Sequence, residues 1–191
     1  DRVAGLSDMA GFPQLAGLEE LTIFDCDSLQ TIRGLPELMK LRRLSLSGLD
    51  DLKDLQGLPS LPGLQELKLT SNSSLKNLMG LPELPRLVKL ELVHIPGLTE
   101  LRGLTAVNDS LNIHIENCDS IRSLDGLQHL ITCKSLSVHD CQRILSFAGL
   151  ENLRELQDHL YIADNDSLYD ISMLQLDGGV DRVKIHNNER L

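Results

Sequence analysis

Apolar side chains return in the same order every 23 residues along this chain, and that period restricts the fold more than any other feature. Counted from Leu18 as offset 0, they fall at offsets 0, 3, 5, 8, 11, 14 and 17, as Leu18, Leu21, Ile23, Cys26, Leu29, Ile32 and Leu35. Units that start at Leu41, Leu64, Leu87, Ser110 and Cys133 repeat this order. After one extra residue the order resumes at Gln157 and Val180, and a partial unit at the start supplies Val3, Leu6, Met9 and Phe12. The 42 leucines among 191 residues, far beyond ordinary usage, are the signature of this template. A second marker is independent of them: offset 16 is Gly34, Gly57, Gly80, Gly103, Gly126 and Gly149. Glycine there implies a backbone angle or a close approach that a Cβ would obstruct, and Pro36, Pro59 and Pro82 two residues later fit an extended or turning chain.

Within a unit, apolar offsets 3 and 5 alternate with polar offsets 2, 4 and 6, the period-two pattern of a short strand with one buried face. The remaining apolar positions come every third residue, which suits irregular turns or 3₁₀ segments better than a long helix. Each repeat is therefore one strand and a compact return. No unit buries its apolar face alone, so successive units must stack, and eight strands at the usual spacing make a parallel ribbon roughly 34 Å long. The pattern runs through residues 1–191 as one repeat domain of about eight units. It begins and stops in mid-repeat without a polar capping unit, which predicts a fragment of a longer protein.

The runs Leu18-x-x-Leu21-x-Ile23-x-x-Cys26-x-x-Leu29 and Leu64-x-x-Leu67-x-Leu69-x-x-Asn72-x-x-Leu75 resemble leucine-rich repeats over the whole chain. That resemblance implies an α/β-type solenoid: a curved horseshoe with a parallel sheet on its concave face and short irregular or 3₁₀ returns on the convex one. The spacing after the offset-8 Asn or Cys, with the recurrent Gly-Leu-Pro-x-Leu, resembles the C-terminal repeats of plant intracellular immune receptors of the nucleotide-binding leucine-rich-repeat family. Similar units occur in bacterial and phosphatase-regulating repeat proteins, and an offset-8 Cys also occurs in F-box substrate receptors. In the family the offset-8 Asn turns inward and satisfies backbone groups of the neighbouring coil. Asn72, Asn165 and Asn188 are suited to that, Cys26, Cys118 and Cys141 only weakly so, and Leu49 and Ile95 not at all, which predicts two irregular spots in the ladder.

A net charge of −10 argues against nucleic acid and anionic lipid, which need a basic face, and favours a basic protein partner. No apolar run approaches the ~20 residues of a membrane helix, and no charged-then-apolar leader opens the chain. Asn72, Asn108 and Asn165 each match the glycosylation acceptor pattern, but two of them sit at the inward offset, where a glycan has no room. The four cysteines form neither a C-x-x-C pair nor a terminal cluster and are read as reduced core thiols, Cys118 and Cys141 being stacked in adjacent coils. The cytoplasm is the expected compartment, with the nucleus open as a second.

Offsets 2, 4 and 6 line the expected concave face, the usual binding surface of such solenoids. Candidate partner-binding residues on it are Phe24, Arg43, Lys68, Lys89, His114, Glu116, His139, Tyr161, Lys184 and His186. Four of the six histidines lie on the last four strands, which is the sharpest local signal in the chain. A metal at Glu116 and His139, with His114 and His159 near, is conceivable in N/O ligand chemistry, but an open ribbon offers no visible support around the ligands. Ser137 beside His114, with Glu116 as orienter, lacks a pocket and an oxyanion hole. Protein contact or plain solvation is the favoured reading; no catalytic residue, metal or cofactor is assigned, and no enzymatic role is expected. Phosphate-loop, H-E-x-x-H, G-x-S-x-G and dinucleotide motifs do not occur. A second stripe at offset 9, Asp27, Asp50, Asp119, Asp166 and Glu189, runs with Asp25, Asp140 and Asp164 along one edge. Turn chemistry accounts for most of it, and the shared charge would also attract a basic surface. The resemblance implies a region that senses a pathogen effector or a guarded host protein and restrains other domains of its own chain. The alternative is the scaffold of a ligase substrate receptor or phosphatase regulator.

Overall fold

A computed structural model describes residues 5–105 and 107–191 of the chain; Val3, placed in the register above, lies outside them. The alternating segments form eight strands: β1 (Glu20–Phe24), β2 (Arg43–Ser47), β3 (Glu66–Thr70), β4 (Lys89–Val93), β5 (Asn112–Glu116), β6 (Thr132–His139), β7 (Glu155–Ala163) and β8 (Arg182–His186). They make one sheet in chain order, every neighbouring pair parallel. Pairing keeps the 23-residue step, as in Glu20↔Arg43 and Lys89↔Asn112. The chain is thus a parallel β-solenoid. The inward set is where the periodicity puts it: Ile115, Val138 and Ile162 are fully buried, within one continuous core.

No helix occurs among the described residues, so the helical part of an α/β-type solenoid is not found in them. The returns are single turns instead, closed by bonds such as Leu29 N donating to Cys26 O (3.0 Å) and Leu52 N to Leu49 O (3.1 Å). Apolar residues spaced by three need such a turn at each step, and the glycine that follows breaks any continuation. Coils are also joined on the return side. Leu55 N donates to Met79 O (2.9 Å), Leu78 N to Arg102 O (2.9 Å), Leu101 N to Asp125 O (2.8 Å) and Leu124 N to Ala148 O (2.8 Å). The offset-16 glycines sit just beyond these bonds at φ of 97° to 115°. A Cβ on Gly103 would collide with the Leu78 carbonyl, so both reasons for glycine hold at once.

The inward asparagines serve the preceding coil. Asn72 accepts from Leu49 N and donates to Leu46 O, both at 3.0 Å, and Asn165 does the same with Cys141 N and Val138 O. Cys118 donates more weakly to Leu92 O at 3.7 Å. Leu49 and Ile95, where irregularity is expected, are fully buried and the strand ladder passes them unbroken. An aliphatic side chain there fills the core in place of the amide, and the offset tolerates either solution. The irregularity lies instead where the extra residue enters: Cys133 pairs with Leu156 but Ser135 with His159, so Gln157 and Asp158 face Lys134 alone. Leu156 takes the inward place and Gln157 is exposed, just as buried Leu111 replaces exposed Ser110. Where a leucine is adjacent, it wins the inward position from a polar residue.

All four cysteines are free thiols. Burial pushes the Cys133 thiol up to about 12, against neighbouring backbone groups that pull it down. The Cys141 thiol is raised further still, first by its hydrogen bond with Cys118 and then by burial. Thiols held protonated in this way are poor nucleophiles and act as small core residues. No helix among the described residues is long and apolar enough to cross a membrane.

Candidate functional site

Side chains at offsets 2, 4 and 6 project from the outer face of the sheet, because the strand pleat sends alternate residues to opposite sides. They fall into two groups. Over β1–β4 the group is ionic. Arg43 binds Glu20 at 2.7 Å, while Lys89 (2.8 Å) and Lys68 (3.6 Å) converge on Glu91. Partial burial works to raise the Glu91 carboxyl, but Lys89 and Lys68 outweigh it and hold it below its ordinary value. Phe24, 59% exposed, stands apart from these pairs at the end of β1.

Over β5–β8 the group is a ladder of rings. His114 and His139 have centroids 5.1 Å apart, His139 and Tyr161 5.5 Å, and Tyr161 and His186 5.6 Å. Parallel register explains the zigzag, since offsets 4 and 6 alternate from coil to coil as His114, His139, Tyr161 and His186. The ammonium of Lys184 lies 5.2 Å from the Tyr161 ring centroid. Glu116 Oε2 lies 3.2 Å from His114 Nε2 and 3.9 Å from His139 Nε2. Six of the candidate residues thus form one contiguous patch, His114, Glu116, His139, Tyr161, Lys184 and His186. Phe24, Arg43, Lys68 and Lys89 belong to the other end of the sheet.

Sequence patterning does not reveal four features in and around this patch. Ser135 and Ser137, at polar offsets, are buried rather than presented, and the Ser135 hydroxyl donates to Asn112 Oδ1 at 2.7 Å. Asp158, in the inserted step, binds Arg182 at 2.9 Å and lies 3.4 Å from His159 Nδ1. Asp140, read as part of an acidic edge, stands 3.0 Å from His139 Nδ1. His186 Nε2 is buried with no hydrogen-bond partner among the described residues, an unmet polar atom within the patch.

Most of the acidic stripe is engaged locally. Asp119 Oδ1 accepts from Gln142 N (3.2 Å), Asp50 Oδ1 from the Ser73 hydroxyl (2.7 Å) and Asp164 Oδ1 from Asn187 Nδ2 (2.9 Å). Asp27 lends its carbonyl to Asp51 N (3.2 Å), and Asp166 is exposed. Every strand is followed by a residue in the left-handed region, among them Asp25, Asp140 and Asp164 at φ 52° to 54°. Asp and Asn tolerate that conformation better than most side chains, and offset 7 varies among Asp, Asn, Ser, Gly and His. In comparisons with known proteins, no family model, no curated protein and no solved structure matches the chain significantly.

Proposed function

We propose that this chain is a protein-recognition solenoid, a leucine-rich-repeat horseshoe whose concave strand face docks another protein. More specifically, it is the ligand-sensing repeat region of a plant intracellular immune receptor acting in the cytoplasm. In this reading it detects a pathogen effector or a guarded host protein and restrains the other domains of its chain until it does. The ring ladder from His114 to His186 under Lys184 carries the proposal. Rings held on a rigid sheet cost little entropy to immobilise, and Tyr is among the side chains that dominate interface energy. The family part rests on the repeat resemblance alone. Ligand binding acts by preferring the released state over the restrained one, and the shift cannot exceed that difference in affinity.

The test is co-purification of the full-length protein from infected and uninfected plant tissue, followed by affinity measurement on the recovered partner. A pathogen protein seen only on infection, or a host protein whose recovery changes on infection, bound at least about tenfold more weakly by Tyr161→Ala (about 1.4 kcal/mol), is the expected result. A partner bound equally by Tyr161→Ala and His139→Ala removes the patch from recognition. Recovery of ubiquitin-ligase or phosphatase subunits irrespective of infection replaces the immune reading with a scaffold.

A further inference from the structure

We propose that His114, Glu116 and His139 form a binding site for a divalent transition metal of the zinc class on the outer face of β5 and β6. One nitrogen or oxygen from each residue lies within 4.8 Å of the other two. Two of the separations are known, 3.2 Å from Glu116 Oε2 to His114 Nε2 and 3.9 Å to His139 Nε2. A tetrahedral ion bonded at about 2.0–2.1 Å holds its ligand atoms about 3.3 Å apart. The closest pair already has that spacing, and side-chain rotation must close the second by about 0.6 Å and the His114–His139 pair by at most about 1.5 Å.

Placement of the three follows from the register. Glu116 and His139 are paired across β5 and β6, and His114 precedes Glu116 by one strand repeat on the same face. Their backbones are fixed by the sheet, so the site requires no rearrangement of the chain. Their side chains are 33%, 29% and 16% exposed for His114, Glu116 and His139, partly desolvated yet open on one side. Three protein ligands and an open position are the arrangement of a zinc centre that retains water or admits a ligand from outside. Two imidazoles and one carboxylate suit zinc, cobalt, nickel or copper, while calcium and magnesium require oxygen sets.

What an open ribbon was expected to lack is support around the ligands, and Asp140 provides it. Its carboxylate lies 3.0 Å from His139 Nδ1. With the proton on Nδ1 donated to Asp140, the lone pair of Nε2 faces Glu116 and the shared centre; a carboxylate behind a metal-bound histidine fixes both tautomer and ring orientation. Tyr161 meets the His139 ring on its other side at 5.5 Å and limits its swing. Asp140 is able to reach the ring of the residue before it because the chain turns left-handed there, at φ 54°. A dication would face one carboxylate in the site and a second behind it, so the pair of negative charges matches the ion.

Isothermal titration of the whole chain, stripped with a chelator and dialysed, with Zn²⁺ tests this, and Co²⁺ serves as a spectroscopic probe. The expected result is one Zn²⁺ per chain and the visible absorption of tetrahedral Co²⁺. His114→Ala, Glu116→Gln and His139→Ala should each weaken Zn²⁺ binding by at least about 100-fold with an unchanged circular dichroism spectrum. His129→Ala, away from the site, should leave it unchanged. Asp140→Asn should weaken binding about 10- to 100-fold and alter the Co²⁺ spectrum, with Asp140→Glu recovering much of both. Absence of Zn²⁺ binding, or binding that survives both His139→Ala and Glu116→Gln, overturns the proposal.

Discussion

His94 holds the left-handed conformation at φ 54° that closes β4, a place that Gly48 fills in the β2 coil. Its side chain is exposed, and its N–H donates to Glu116 O at 2.9 Å, a bond that glycine would keep. His94→Gly should therefore raise stability by about 0.5–1 kcal/mol, because relief of the left-handed strain exceeds the added freedom of the unfolded chain. Gly103→Ala should do the opposite and cost at least about 2 kcal/mol, since its new Cβ meets the fixed Leu78 carbonyl at φ 115°. Urea unfolding of the two variants beside the parent checks both signs. Offset 16 was readable because one letter recurs six times. Offset 7 was not, because Asp, Gly, Ser, His and Asn share it, and a conformation that several side chains can adopt leaves no single letter. The Asp140–His139 contact was hidden for the same reason: it exists only through that backbone turn.

Between strands, the ionic group across β3 and β4 has a defined acid limit. Lys89 and Lys68 hold the Glu91 carboxyl below its ordinary 4.5, so folding stabilises the ionised form. A group with a depressed folded value contributes fully above its unfolded value, and the contribution disappears as pH falls through the folded one. The stability gap between the parent and Glu91→Gln should thus be constant above about pH 5 and close below 4.5 as Glu91 is protonated. Urea midpoints at pH 7, 5, 4 and 3 measure it, and a gap that persists to pH 3 would assign Glu91 no part in the acid response. Strand existence and register were legible throughout, since the period of two and the step of 23 residues are both written in aliphatic letters. What patterning misplaced were choices between adjacent residues, Leu111 for Ser110 and Leu156 for Gln157, where a local shift lets the more apolar neighbour turn inward. Ion pairs such as Arg182–Asp158 were not legible either, because they cross coils through the inserted step.

At the level of the molecule, 28 acidic against 18 basic side chains give a field that a basic partner feels before contact. Much of the acidic stripe is tied into turns by bonds such as those of Asp50, Asp119 and Asp164, so the exposed Asp166 and Glu189 are the ones to alter without disturbing the coil. With a basic partner, the association rate should fall about tenfold or more between 0.01 M and 0.15 M salt, where the screening length shrinks from about 30 to about 8 Å. Asp166→Lys with Glu189→Lys should slow association about two- to fivefold at low salt while dissociation stays the same. Stopped-flow mixing resolves the two rates, and an unchanged association rate would reduce the stripe to local turn chemistry. The chain has no tryptophan and two tyrosines, one of which, Tyr161, is wedged between the imidazoles of His139 and His186. No indole masks phenol emission in this chain, so one of its two phenol emitters stands inside the patch, and a molecule that settles there is in place to report its own arrival without a dye.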